Sequence, residues 1–205
     1  HQPIEQEAQV RLLESVKNHK GKNSMLVIRP ADVQESTVAW KMAMENTDTP
    51  TGLIFSRQNI KDLPSAGNRY QDALQAQKGA YIAKEAKGKA DIILVASGSE
   101  VSTLFDGAAL LEERKKLNIQ IVSAPSEGLF RNQSKEYQEK VLPEATPKYG
   151  LTAGMPLTIR GLVGLNGMIH GLDHFGYSAP YTVLDEKFGF NAESVYNDVC
   201  AMLKL

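Results

Sequence analysis

Hydrophobic residues fall into short apolar runs that alternate with amphipathic stretches along most of the chain. The run at 25–28 is continuous, and those at 90–96 and 119–122 are interrupted only at Asp91 and Gln120, which is typical of strands covered on both faces. The stretches between them place apolar residues at helical spacing, for example at Val38 and Met42. Strands that alternate with helices predict an α/β fold with mostly parallel sheets.

The first 60 residues contain one β-α-β unit. Arg29-Pro30 ends the strand at 25–28, and Asp32 with Glu35 matches a capping box that opens a helix to about Glu45. The next apolar run is Leu53-Ile54-Phe55. A strand, a helix and a second strand in this order predict two parallel strands with a right-handed crossover.

Residues 61–89 differ in character from the rest. They are rich in Ala, Gln, Gly and Lys and lack a sustained apolar face. Because unstructured loops of this length are uncommon inside a compact domain, the segment is interpreted as an interdomain linker on the surface, with local order at Tyr70 or Tyr81.

Residues 90–205 are predicted to form a second, complete α/β domain of three layers. Ser99 is the predicted N-cap of a helix after the strand at 90–96, and Asn191 is the predicted N-cap of the last helix. An amphipathic stretch covers 129–141, a third strand is expected at 148–152, and a glycine-rich strand and turn at 162–172.

Arg57 follows the apolar run at 53–55. Ligands of open parallel sheets bind at the carboxyl ends of strands, and a guanidinium suits a phosphate or a carboxylate. One interpretation is therefore that Arg57 holds an anionic substrate group. The other is that Arg57 pairs with a surface carboxylate, and the arginine taken alone favours this second interpretation.

Composition limits the classes of partner. The 205 residues carry a net charge of -1 with a pI of about 6.5, so no nucleic-acid footprint is present, and no apolar run is long enough to span a membrane. The single Cys200 cannot form an internal disulfide, which fits a reducing compartment such as the cytoplasm.

Three other groups of residues are weaker candidates. The Ser97-Gly98-Ser99 turn could hold a small anion on backbone N–H groups, although a structural turn is the favoured interpretation. His170 and His174 have the spacing of metal ligands on a helix, but Gly171 and Gly176 argue against a helix there, so a zinc site is not expected. Trp40 and Met44 are expected to pack in a helix face or a subunit contact.

Several motifs together resemble transketolase. They are His1-Gln2-Pro3-Ile4-Glu5, Leu26-Val27-Ile28-Arg29-Pro30-Ala31-Asp32, Ser56-Arg57-Gln58-Asn59, Ala96-Ser97-Gly98-Ser99-Glu100-Val101 and Phe175-Gly176-Tyr177-Ser178-Ala179-Pro180. They occur in the transketolase order over essentially the whole chain, which is similar to the last third of the enzyme. The resemblance makes 1–60 part of a pyrimidine-binding domain, and therefore incomplete, 61–89 a linker and 90–205 the C-terminal domain.

The resemblance implies the roles of two residues. His1 matches a catalytic histidine that contacts substrate oxygens, and Arg57 matches an arginine that binds the phosphate of the sugar. Thiamine diphosphate and a divalent cation, Mg²⁺ or Ca²⁺, serve the full-length enzyme at a dimer interface. None of their binding residues is expected in this chain.

The implied activity is the transfer of two-carbon ketol units between ketose and aldose phosphates in the pentose phosphate pathway. This chain would supply part of the substrate site and dimer contacts, and would be inactive alone. The alternatives are a non-catalytic α/β association module, or part of another thiamine-diphosphate enzyme such as deoxyxylulose-phosphate synthase. The Ser56-Arg57-Gln58-Asn59 motif favours transketolase.

Overall fold

Two β-sheets with surrounding helices make up the protein in a computed structural model that describes residues 3–205. The strands are β1 (Leu26–Ile28), β2 (Thr51–Leu53), β3 (Tyr81–Lys84), β4 (Ile92–Ala96), β5 (Ile119–Ser123), β6 (Lys148–Leu151) and β7 (Met168–His170). The α-helices are α1 (Gln6–Ser15), α2 (Val33–Glu45), α3 (Arg69–Ala73), α4 (Glu100–Lys115), α5 (Glu127–Arg131), α6 (Lys135–Val141), α7 (Arg160–Val163), α8 (Tyr181–Phe188) and α9 (Ala192–Leu203). Two 3₁₀ helices cover Leu74–Lys78 and Pro156–Ile159.

The first sheet contains β1 and β2, which are parallel and connected through α2, as predicted. Asp32 caps α2 by accepting a hydrogen bond from the Glu35 N–H at 2.8 Å, and the Glu35 carboxylate accepts one from the Ala31 N–H at 2.8 Å. The predicted strand at 53–55 was placed two residues too late, because β2 ends at Leu53. Its side chains are half-buried rather than covered on both faces.

The second sheet has five strands in the order β3-β5-β4-β6-β7, and all neighbours are parallel except β3 and β5. The central strand β4 is fully buried and alternates between two cores. Ile92, Leu94 and Ala96 pack with α4 and α9, whereas Ile93 and Val95 pack with α5, α6 and α7. Helices therefore cover both faces, which confirms the predicted three-layer α/β architecture.

Residues 61–89 are ordered at both expected tyrosines, since Tyr70 lies in α3 and Tyr81 begins β3, and their role as an interdomain linker stays a prediction. Asn68 caps α3 by accepting hydrogen bonds from two N–H groups, and β3 adds an antiparallel edge strand to the second sheet. Leu63 and Tyr81 are buried. The exact domain boundaries stay a prediction, but the second sheet recruits residues from before position 90.

The expected caps and helices of the second unit are mostly present. Asn191 caps α9 through the Ser194 N–H at 2.9 Å, as predicted. Ser99 lies at the N-cap position of α4, but its side chain makes no capping hydrogen bond. The amphipathic stretch at 129–141 is divided between α5 and α6, because Ser134 caps a new helix through the Tyr137 N–H at 3.2 Å.

A buried network of polar side chains joins the two sheets. One carboxylate oxygen of Glu35 accepts hydrogen bonds from Tyr81 and from Ser123, both at 2.7 Å, and from Arg69 at 3.3 Å. Arg69 also donates to Asp32 at 2.6 Å. Burial raises the pKa of Glu35, while its hydrogen bonds and Arg69 lower it, and the net direction is upward.

The outer face of α2 is exposed within this chain. Trp40 stacks on Phe55 with ring centroids 6.3 Å apart, and Met44 is 79% exposed. Of the two expected settings, packing within this chain is limited to the Trp40–Phe55 stack, since both Trp40 and Met44 lie largely in solvent. Their role in a subunit contact stays a prediction.

Candidate functional site

Arg57 lies in an exposed segment just beyond the carboxyl end of β2. The Ile54 N–H donates to the Ile28 carbonyl at 2.9 Å, which anchors the base of this segment, and Ser56 donates to the Gln58 carbonyl at 3.2 Å, which closes a turn around Arg57. Among residues 3–205, no carboxylate lies within ion-pair distance of the Arg57 guanidinium. The alternative that Arg57 pairs with a surface carboxylate therefore has no partner in the described part of the chain.

A cleft of about 240 Å³ lies beside this segment. It forms where the carboxyl ends of strands from both sheets face each other, together with the beginning of the described chain. Its lining includes Pro3, Arg29, Ser56, Ser99 and Gly154. Such an edge is where open α/β sheets bind ligands, and Ser56, the residue before Arg57, lines this cavity.

Arg29 occupies the equivalent position at the end of β1, but it is buried and fully paired. It donates to Glu100 and to the Ser97 carbonyl, and it also forms an ion pair with Glu7 at 3.7 Å. Burial lowers the pKa of Arg29, whereas the carboxylates of Glu100 and Glu7 together raise it by more. The net direction is upward, so the guanidinium stays charged. Sequence reasoning missed this residue, although its place directly after a strand is the same signal that identified Arg57.

The Ser97-Gly98-Ser99 turn is filled by the Arg29 side chain. Gly98 has φ +64°, and an added Cβ would lie 2.6 Å from the Arg29 Cζ atom. A guanidinium rather than an anion therefore occupies this turn, which supports the structural interpretation.

His1 lies outside the described residues, so its predicted catalytic position stays a prediction. Pro3, two residues further on, lines the cleft next to Ile54, Phe55 and Ser56.

His170 and His174 do not share a helix, because His170 is the last residue of β7. The two ring nitrogens of His170 lie 2.9 Å from the Asp198 carboxylate and 2.7 Å from the Phe188 carbonyl. Tyr149 donates to the same Asp198 oxygen at 2.8 Å. Both acceptors of His170 lack protons, so the protonated imidazolium satisfies both contacts. The hydrogen bond to Asp198 raises the pKa of His170 most strongly, and burial opposes it.

This arrangement predicts a pH-dependent contribution to stability. Because the folded pKa of His170 is raised above its unfolded value, the contribution is complete below about pH 6.5 and is lost as the pH rises through the folded pKa. We expect His170→Gln to lower the free energy of unfolding by about 1.5–3 kcal/mol at pH 6, with a smaller loss at pH 9. Urea unfolding at both pH values checks this. The exposed His174→Gln is the matched control, and an equal loss for His170→Gln at both pH values would contradict the prediction.

The described residues lack two kinds of feature. Within 3–205, no group of three or more His, Cys, Asp or Glu side chains is arranged to hold a metal ion. Within the same residues, no helix has the length and apolar character to cross a membrane.

Comparisons by sequence and by structure with known proteins identify relatives of the same family. A family model described as the transketolase-like TK C-terminal domain matches residues 79–191. The transketolase of Halalkalibacterium halodurans is 40% identical over 205 residues, which cover 100% of this chain and 29% of that protein. This chain thus spans less than a third of the length of that relative.

Solved transketolase structures contain the same fold. The transketolase from Leishmania mexicana superposes with a TM-score of 0.82 at 32% identity, over 100% of this chain and 28% of that chain. A Pichia stipitis transketolase in complex with sedoheptulose-7-phosphate gives a TM-score of 0.80 at 31% identity, over 100% of this chain and 27% of that chain.

Proposed function

Since the chain belongs to the transketolase family, we propose that it supplies the sugar-phosphate-binding part of an enzyme that transfers two-carbon ketol units. The donor is a ketose phosphate and the acceptor is an aldose phosphate. The observation that carries this proposal is the contrast between Arg29 and Arg57 at neighbouring strand ends. Arg29 is neutralised by two carboxylates, whereas Arg57 is exposed without one in the described residues.

Arg57 is the proposed ligand of the substrate phosphate. A guanidinium donates two parallel hydrogen bonds to phosphate oxygens, which fixes both the position and the orientation of the sugar. The turn closed by Ser56 and Gln58 holds the backbone at Arg57. The solved relative with sedoheptulose-7-phosphate supports a sugar phosphate as the substrate class.

His1 is the proposed catalytic residue. An imidazole can donate or accept a proton near neutral pH and can hydrogen-bond a substrate oxygen that gains negative charge. Pro3, two residues later in the sequence, lines the cleft, which supports the proposal.

The proposed cofactors are thiamine diphosphate and a divalent cation, Mg²⁺ or Ca²⁺. The described residues do not fit a site for the cation, because they contain no cluster of metal-binding side chains. The family resemblance is the basis for assigning both groups to other parts of the full-length enzyme, and we derive no chemical step through them. This chain contributes binding and orientation of the phosphorylated end of the substrate.

The proposal extends to the assembly and to the cellular setting. We propose a homodimer in which this chain contributes subunit contacts, and a cytoplasmic role in the pentose phosphate pathway. The exposed aromatic and apolar surface at Trp40, Met44 and Phe55 supports a subunit contact. The single Cys200 supports a reducing compartment.

A complementation experiment tests the proposed activity against the alternative of a non-catalytic association module. The chain is titrated with thiamine diphosphate and Mg²⁺ by calorimetry, first alone and then mixed with the preceding part of the Halalkalibacterium halodurans transketolase. We expect no binding by the chain alone, and cofactor binding with ketol transfer in the mixture. A mixture that assembles and binds the cofactor but transfers no ketol units would favour the non-catalytic module.

A further inference from the structure

A second cavity lies beside α1 and shares no lining residue with the cleft at the strand ends. It forms where α1 packs against α5 and the 3₁₀ helix Pro156–Ile159, between the first and second units. Its volume is about 480 Å³. This lies within the range of pockets that bind small molecules, which occur preferentially between structural units.

Two leucines give this cavity an apolar wall. Leu12 of α1 is 65% exposed and Leu157 of the 3₁₀ helix is 66% exposed, and both line the cavity. Covering leucine side chains of this size with an apolar ligand removes hydrophobic surface from water. The body of a suitable ligand is therefore an alkyl chain or an aromatic ring.

Both carboxylates that line the cavity are already neutralised. Glu14 is buried, pairs with Arg11 at 3.3 Å and accepts a hydrogen bond from Ser126. Glu127 pairs with Arg131 at 3.0 Å. Each carboxylate of the lining therefore already has an arginine partner, with Arg11 shared between Glu14 and Glu7.

Lys17 is different because its partners are neutral. Its ammonium group contacts the amide oxygens of Asn23 and, at 3.0 Å, of Asn132. No carboxylate of the described residues lies within ion-pair distance of Lys17. An ammonium has three N–H donors, so two amide contacts leave one donor for a ligand.

We propose that this cavity binds a small amphipathic carboxylate, with its apolar body between Leu12 and Leu157 and its carboxylate on Lys17. The remaining N–H donor of Lys17 favours one anionic group on the ligand. Leu12 and Leu157 favour an apolar remainder. The proposal does not depend on the function assigned to Arg57, since the two cavities have separate linings.

Octanoate is the probe, with octanol and octylammonium as ligands of the same length but different charge. Binding is followed on the protein by the NMR signals of ¹³C-labelled leucine methyl groups, below the concentration at which the probes form micelles. We expect saturable shifts of the Leu12 and Leu157 signals with octanoate, weaker binding of octanol and the weakest binding of octylammonium. Each methylene added from hexanoate to octanoate should tighten binding about fourfold.

Two variants separate the charge from the apolar wall. Lys17→Gln should weaken octanoate binding about tenfold and leave octanol binding unchanged. Leu157→Ser should weaken both ligands. The matched controls are Lys20→Gln and Leu165→Ser. Lys20 lies in the same loop as Lys17 but outside the cavity, and Leu165 is 91% exposed and also lies outside it. Neither control should change the binding of octanoate or octanol.

All four substitutions are at exposed positions, so folding should be preserved, and thermal unfolding of each variant checks this. The proposal is overturned if the leucine methyl groups show no saturable shift at millimolar octanoate. It is also overturned if octylammonium binds as tightly as octanoate, or if Lys17→Gln binds octanoate like the unmodified protein.

Discussion

Replacing Glu35 with Ala is expected to lower the free energy of unfolding by about 3–5 kcal/mol. The substitution removes the shared acceptor of Tyr81, Ser123 and Arg69 in a fully buried position. Arg69 then keeps only Asp32 as a counter-charge, and two hydroxyl groups lose their acceptor. The loss combines the unsatisfied donors of Tyr81, Ser123 and Arg69 with the cavity left by the missing carboxylate, both of which are among the most destabilising changes.

Urea unfolding measures this effect, and matched substitutions show its origin. Glu35→Gln preserves the volume and one acceptor, so it should be less destabilising, by about 1–3 kcal/mol. Glu45→Ala, at an exposed position of the same helix, should change the free energy of unfolding by no more than about 0.5 kcal/mol. A Glu35→Ala protein as stable as Glu45→Ala would show that the network does not hold the two sheets together.

Replacing Gly79 with Ala should have a comparable effect through a different mechanism. Gly79 precedes β3 with φ +87°, and a Cβ atom there would lie 2.2 Å from the Phe130 backbone nitrogen and 2.4 Å from the Ser126 carbonyl oxygen. The Gly79 carbonyl also accepts a hydrogen bond from the Ser126 N–H at 2.9 Å. Backbone atoms cannot rotate away, so conformational strain and overpacking together should lower the free energy of unfolding by about 3–5 kcal/mol.

Gly88 provides the matched control for backbone strain alone. It has φ +84°, close to that of Gly79, but no atom lies within 4 Å of its added Cβ. Gly88→Ala should therefore lower the free energy of unfolding by only about 1–2 kcal/mol in the same urea experiment. Equal losses for Gly79→Ala and Gly88→Ala would mean that the close approach of Gly79 to the backbone of Ser126 and Phe130 does not contribute to the loss of stability.

Local sequence patterns predicted the elements whose signals lie within a few residues. Asp32 and Glu35 identified the beginning of α2, and Asn191 identified the beginning of α9, because each cap acts over three residues. The apolar run at 90–96, interrupted only at Asp91, predicted a doubly covered central strand, since a strand in such a position has no polar face.

Features that depend on distant partners could not be predicted in the same way. β3 is a short edge strand whose pairing partner, β5, lies about 40 residues further along the chain. Its own composition contains no alternating pattern that marks it as a strand. Glu35 was recognised as part of a cap, but its contacts with Arg69, Tyr81 and Ser123 come from three other segments.

The candidate site was only partly predictable for the same reason. The position of Arg57 after a strand indicated an anion site, but the same pattern at Arg29 marks a buried ion pair. The difference arises from Glu7 and Glu100, which the fold brings to Arg29 and not to Arg57. A strand-end arginine thus becomes a candidate ligand-binding residue only when the surrounding carboxylates are known.

The central claim is that Arg57 binds the phosphate of the substrate. It is tested most directly in a chimeric transketolase in which this chain replaces the matching segment of the Halalkalibacterium halodurans relative, with phosphorylated and unphosphorylated aldose acceptors. Arg57→Met should raise KM for the phosphorylated acceptor roughly 10- to 100-fold. It should leave KM for the unphosphorylated acceptor unchanged, because only the phosphate contact is lost. Arg114→Met, at an exposed arginine that pairs with Glu193, should change neither. An equal rise in KM for both acceptors, or no change in KM for the phosphorylated acceptor, would contradict the role of Arg57 in phosphate binding.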